Sequence, residues 1–185
     1  MLILRYTRVA VVLHWLVALL MTVNVVLALS ADHVPDDSVR FVIDAHKSIG
    51  ISVLGLALLR FLWRFTHRPP EAPAIRPRLE RIAARLVHGG LYLLIFLLPV
   101  SGWLHDSAWK DASTHPMHWF GLFEWPRIGA ITTLPPATRD VLHTKFGELH
   151  AALSYLLYAL LALHVAGALK HQWIDGEPIL QRMTL

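Results

Sequence analysis

Two histidines fourteen positions apart, His150 and His164, stand in one long apolar stretch, KFGELHAALSYLLYALLALHVAGALKHQW at 145–173. Between residues 151 and 169 the only strongly polar side chain is His164, and a run of that length and character is read as a membrane-crossing helix. On an α-helix fourteen residues make almost four turns, so both rings leave one face, about 21 Å apart along the axis. One imidazole therefore stands near each surface of the hydrocarbon slab.

The rest of the chain repeats that apolar character. Of 185 residues 55% are hydrophobic and 16% charged, with mean hydropathy +0.49. A soluble domain usually carries about 25% charged residues. The apolar residues gather in blocks near 9–29, 46–65, 88–104 and 150–170, which predicts an all-α fold, one integral membrane domain of four helices. Residues 9–29 follow Arg5 and Arg8 and end near ALSA at 28–31, the outline of a signal peptide. The run exceeds the usual h-region of about 7–15 residues and holds His14 and Asn24, so a retained span is expected.

Between the blocks, residues 31–45 are short and acidic. Residues 64–87 are rich in proline and hold six arginines, and are expected to form a surface loop. Pro99 is expected to kink the third helix. Residues 105–136 hold Trp109, Trp119, Phe120, Phe123 and Trp125, residues typical of the water–lipid boundary, and a short amphipathic piece is expected across 115–125. Pro135 and Pro136 open the last helix, outside the lipid, and a polar tail follows from Asp175. Gly50, Ser52 and Gly55 thin one side of the second helix for a planar ligand or a neighbouring helix. The arginine loop, the basic N-terminus and the bases of the tail outweigh those of the other two connections. The positive-inside rule then puts both termini and the arginine loop on the cytoplasmic side.

The chain has twelve histidines and no cysteine. Disulfides, cysteine-ligated iron–sulfur clusters and thioether-linked haem are thereby excluded. The net charge of +4 sits near block ends as topology signal, and no basic run interleaved with aromatics points to nucleic acid. With alternate spans running in opposite directions, His14, six residues past Arg8, matches the depth of His164, six before Lys170. His46 and His150 both stand at the start of inward-running helices, at the other level. Each level thus has two opposed imidazoles, the arrangement that closes both axial positions of a haem iron and suits electron transfer. The four are read as iron ligands, paired His14–His164 and His46–His150, holding two haem b. A lone intramembrane histidine also serves as a helix–helix polar contact or a proton relay, so a non-haem histidine-dependent transporter stays as an alternative. A zinc site needs converging ligands, which the separation of His150 from His164 forbids.

Other residues have weaker claims. His88 is a candidate for a quinone or relay site, and competes as a ligand for the level of His14. Arg60, fourteen after His46, is a candidate contact for a haem propionate, or else snorkels to nearby headgroups. His143 and His171 extend the row of His150 and His164 outside the apolar core. His105, His115 and His118 fall in the connection and read as interfacial.

Several stretches carry a family resemblance: LHWLVALL at 13–20, AHKSIGIS at 45–52, LRFLWR at 59–64, HGGLYLLIFLLPVSGW at 88–103, and H-x13-H followed by HVAGALKH at 164–171. With these the chain resembles the bacterial di-haem cytochrome b561 family and, more distantly, the cytochrome b subunits of hydrogenases and formate dehydrogenases. The resemblance implies a place in the bacterial inner membrane, the same two ligand pairs, electron exchange with ubiquinone, and superoxide as one possible electron source on the periplasmic side. Lys47 or Arg40 would then attract that anion. An anchor subunit relaying electrons from a dehydrogenase or hydrogenase partner is the other reading in this class.

Overall fold

The computed structural model describes residues 5–67, 70 and 77–185. Arg68, Pro69, Pro73 and Arg76, part of the expected arginine loop, lie outside the described residues. Among the described residues four helices are long and apolar enough to cross a membrane: α1 (Arg8–Ser30), α2 (Asp36–Thr66), α3 (Arg78–Ser107) and, after a short α4 (Gly129–Thr132), α5 (Pro136–Leu169). The fold is an all-α membrane bundle.

Proline starts three of them. Pro35, Pro77 and Pro135 stand at the N-terminal boundaries of α2, α3 and α5, where a residue without an N–H costs nothing. α1 instead begins after Thr7, whose hydroxyl accepts from Ala10 N at 3.3 Å. This corrects two expected boundaries. The acidic stretch after Pro35 is the first part of α2, so the first connection shrinks to 31–35. Residues 78–87 are the first turns of α3, not loop, because RLERIAARLV holds good helix formers and no proline. α3 continues through Pro99.

The helices pack in a chain of neighbours. α3 lies most extensively on α5, α1 on α2, and α2 on α3. Val17, Ile49, Val53, Ala57 and Ile95 close the α1–α2–α3 seam, and Leu94, Leu98 and Leu157 close the α3–α5 seam. On α3, Gly90 lets α5 approach, since a Cβ there would lie 2.5 Å from Leu160 Cδ1. Large apolar side chains such as Leu19, Val26, Phe41, Leu86, Tyr155 and Leu163 face outward, an arrangement suited to lipid. α1 and α5 pack less closely on each other than the other neighbours do, yet histidines from both meet between them.

Both chain ends meet at one end of the bundle. Tyr6 N donates to Arg182 O at 3.2 Å and Trp15 Nε1 to Met183 O at 2.8 Å, so the tail folds back on α1. The opposite end is capped by the long connection. The amphipathic helix expected across 115–125 is replaced by a small hairpin, β1 (His118–Trp119) paired antiparallel with β2 (Phe123–Glu124). Pro116 and Pro126 flank it and discourage a helix, and Phe120 and Gly121 turn with φ of 50° and 71°. Ser48 ties the hairpin to α2, its Oγ accepting from Phe120 N at 3.0 Å, and Ser52 Oγ accepts from Trp119 Nε1 at 3.1 Å.

Candidate haem sites

At the connection end, the rings of His46 on α2 and His150 on α5 stand 6.2 Å apart between centroids. At the terminus end, the rings of His14 on α1 and His164 on α5 stand 6.3 Å apart. These are the two pairs that the depth argument anticipates. Imidazole nitrogen binds first-row metals at about 2 Å, and a ring nitrogen lies about 1.2 Å from its ring centre. Two rings opposed across one metal therefore stand about 6.4 Å apart. Both pairs fit that requirement. Neither pair is in hydrogen-bonding contact, and all four residues are only partly buried.

The hydrogen bonds around the connection-end pair decide its tautomers. His46 Nδ1 lies 3.0 Å from the carbonyl of Asn24, which can only accept, so Nδ1 carries the proton. His150 Nδ1 lies 2.9 Å from Ser101 Oγ, and that hydroxyl donates to Leu98 O at 2.9 Å. The serine proton is thereby committed, so His150 Nδ1 is again the donor. Both rings keep a bare Nε2, the atom a metal needs. Gly102 makes room for His150: a Cβ there would lie 3.3 Å from its Cε1.

The terminus-end pair differs. Arg60 Nη1 lies 2.9 Å from His14 Nδ1, and a guanidinium only donates. Tyr92 anchors the same guanidinium, its hydroxyl 3.1 Å from Nε and its ring 5.2 Å from the central carbon. Arg60 is thus turned inward at the level of His14, not stretched toward headgroups. No hydrogen bond to the ring of His164 is found among the described residues. His88 stands beside this pair, its ring 5.1 Å from that of His164 and edge-on, with Nδ1 held by Ala84 O at 2.7 Å. That separation is too short for opposed rings on one metal.

The remaining histidines divide. His105 and His143 stack 3.9 Å apart, each Nδ1 on the other's backbone carbonyl, at 2.8 and 3.0 Å, and so pin the ends of α3 and α5 together. His171 Nδ1 meets Asp175 Oδ2 at 2.6 Å. With Glu80 these form a group of metal-ligand type, but Lys170 Nζ lies 3.0 Å from Glu80 and 2.8 Å from Asp175 and already supplies the cation. His118 lies in β1, and His115 precedes it beside Trp109.

The prokaryotic cytochrome b561 family model matches residues 5–185. The chain belongs to the prokaryotic cytochrome b561 family. It is 36% identical to cytochrome b561 homolog 2 of Escherichia coli (strain K12) over 141 residues, 76% of this chain and 69% of that one. It is 22% identical to cytochrome b561 homolog 1 of the same organism, over 97% of this chain and 96% of that one. It is 27% identical to the probable superoxide oxidase CybB of Yersinia pestis, over 97% and 95%. As a cytochrome b561 the chain is a membrane b-type cytochrome, a protein of electron transfer.

Sequence reasoning missed Ser101 and Asp106. Ser101 reads as one more small helix residue, and only its place opposite His150 reveals it. Asp106, 5% exposed, joins Lys47 Nζ at 2.5 Å and Arg127 Nε at 2.8 Å. Arg127 also donates to the carbonyls of Ala112 and His115, pinning the long connection over the bundle end. Arg40 pairs with Asp44 at 3.0 Å, so both bases suggested as anion attractors are committed to carboxylates.

Proposed function

We propose that this cytochrome b561 carries single electrons between a donor at the connection end and membrane quinone, through two b haems. His46 and His150 would hold one haem and His14 and His164 the other, with Arg60 beside a propionate of the second. When bound, each haem would supply one-electron exchange, and the two histidines of each pair would hold it. The reading rests chiefly on the two ring separations near 6.3 Å, at two levels of one helix. The bare Nε2 atoms of His46 and His150 support it.

The same reading places both termini in the cytoplasm and the aromatic connection in the periplasm, by the distribution of Lys and Arg. His88, beside the terminus-end pair, is then the candidate to meet the quinone or move its protons.

Similarity to a probable superoxide oxidase favours superoxide as the donor. Arg40, Lys47 and Arg127 face Asp44 and Asp106, so this cluster keeps one net positive charge, enough for a weak salt-dependent attraction.

The test uses purified protein in proteoliposomes containing ubiquinone. A reduced b-type α band and superoxide-driven quinone reduction, slower and less salt-sensitive in Arg40→Gln, are expected. Absence of any Soret band would end the haem reading. A superoxide rate indifferent to both salt and Arg40 would remove the steering argument.

A further inference from the structure

We propose that Ser101 and Arg60 are positioning residues that drive the two sites' reduction potentials apart, so that an electron rests preferentially on the His14–His164 side. The proposal builds on the haem reading above.

At the connection end both ligand rings are held by acceptors, and the Lys47 cation beside His46 is paired with Asp106. Asn24 O and Ser101 Oγ both accept from ligand Nδ1–H groups, at 3.0 and 2.9 Å. An acceptor on Nδ1–H makes the imidazole a stronger donor at Nε2, which favours the more positive, oxidised metal and lowers its potential. Ser101 is buried at 3% exposure and its own proton is spent on Leu98 O, so it cannot reverse this role by donating.

The terminus-end site is surrounded by a donor and a charge. Arg60 presents a guanidinium 2.9 Å from His14 Nδ1, and Tyr92 holds that cation at this level from a second side. A ligand using Nε2 carries its proton on Nδ1, so with metal bound Arg60 would need another acceptor, a role a haem propionate would fill, with Tyr92 keeping the guanidinium near. A fixed cation nearby destabilises the more positive oxidised state and raises the potential. Both influences have the same consequence: electrons entering at the connection end run downhill toward the terminus end.

The experiment is a redox titration of purified protein, read on the reduced α band. Two steps are expected, with the electron favouring the upper site at least tenfold, which is 59 mV for one electron. His14→Ala, which keeps only the connection-end site, should titrate at the lower step, and His150→Ala at the upper. Ser101→Ala should raise the lower step alone, with Ser101→Thr restoring it, and Arg60→Gln should lower the upper step alone. The reverse order in the two histidine variants overturns the proposal, as does a Ser101→Ala shift confined to the upper step. Should Ser101→Ala lose pigment, the order in the histidine variants and the Arg60→Gln shift still decide. A preparation with no pigment at all refutes the haem reading instead, and is told apart by its spectrum before titration.

Discussion

Lys47 on α2 and Asp106 at the end of α3 form a partly buried ion pair at 2.5 Å, and Lys47 follows His46 directly in the chain. Arg127 completes it from the long connection. The pair joins two spans and the cap at the level of the connection-end histidines, so the same charges that close the bundle also fix the surroundings of His46. Removing one partner of a fully buried pair costs about 3–5 kcal/mol, and the partial exposure of Lys47 puts the loss of Asp106 below that range. Asp106→Ala should therefore melt well below the wild type and expose the connection to protease. A melting temperature within error of the wild type would show that the network contributes only locally.

Ser48, 2% exposed, holds the hairpin against α2 through Phe120 N. A hydrogen bond of this kind contributes about 0.5–1.5 kcal/mol net. Ser48→Ala should loosen residues 118–124, measured as faster amide exchange there than in α5. Unchanged exchange would mean that Ser52 and Trp119 suffice to dock the turn.

Much of this architecture was legible beforehand, for identifiable reasons. The H-x13-H spacing depends only on helical periodicity, and the depth of His14 and His46 only on alternating spans, so both pairs could be named without a structure. The start of α3 at residues 78–87 is hidden in the sequence, because its arginines continue the proline- and arginine-rich run of 64–77. The hairpin was missed because aromatic residues between Pro116 and Pro126 suit a membrane-surface helix as well as a strand pair. Ser101 and Asp106 were invisible for another reason: their importance lies in what α5 and the connection place opposite them.

Gly102 should tolerate little bulk, since a Cβ there would already press on His150 Cε1 at 3.3 Å. If His46 and His150 hold one of two haems, as proposed, Gly102→Val is expected to lose that haem and halve pigment per chain. Gly89→Ala, with nothing within 4 Å of the added methyl, serves as the control and should gain up to about 1 kcal/mol from helix propensity. Full pigment in Gly102→Val would show that His150 has room to move.

Lys170, by hydrogen bonding, and then His171 hold the Asp175 carboxyl below its ordinary value. A carboxylate whose pKa is lower folded than unfolded adds stability above the unfolded value, and that stability is lost as pH falls through the folded one. Asp175→Asn should thus melt slightly below the wild type at about pH 6 and converge with it toward strong acid. Equal melting throughout the series would show that this exposed contact adds nothing, as for many surface pairs.

On the proposed function four histidines clamp two haems in fixed pairs, and haem content per chain is the decisive measurement. His46→Ala, His150→Ala and their double variant should each keep one haem of two, since all three empty the same site. The His150→Ala, His164→Ala double variant should keep none. Two haems retained after loss of His150 or His164, or none retained in the His46, His150 double variant, would contradict it.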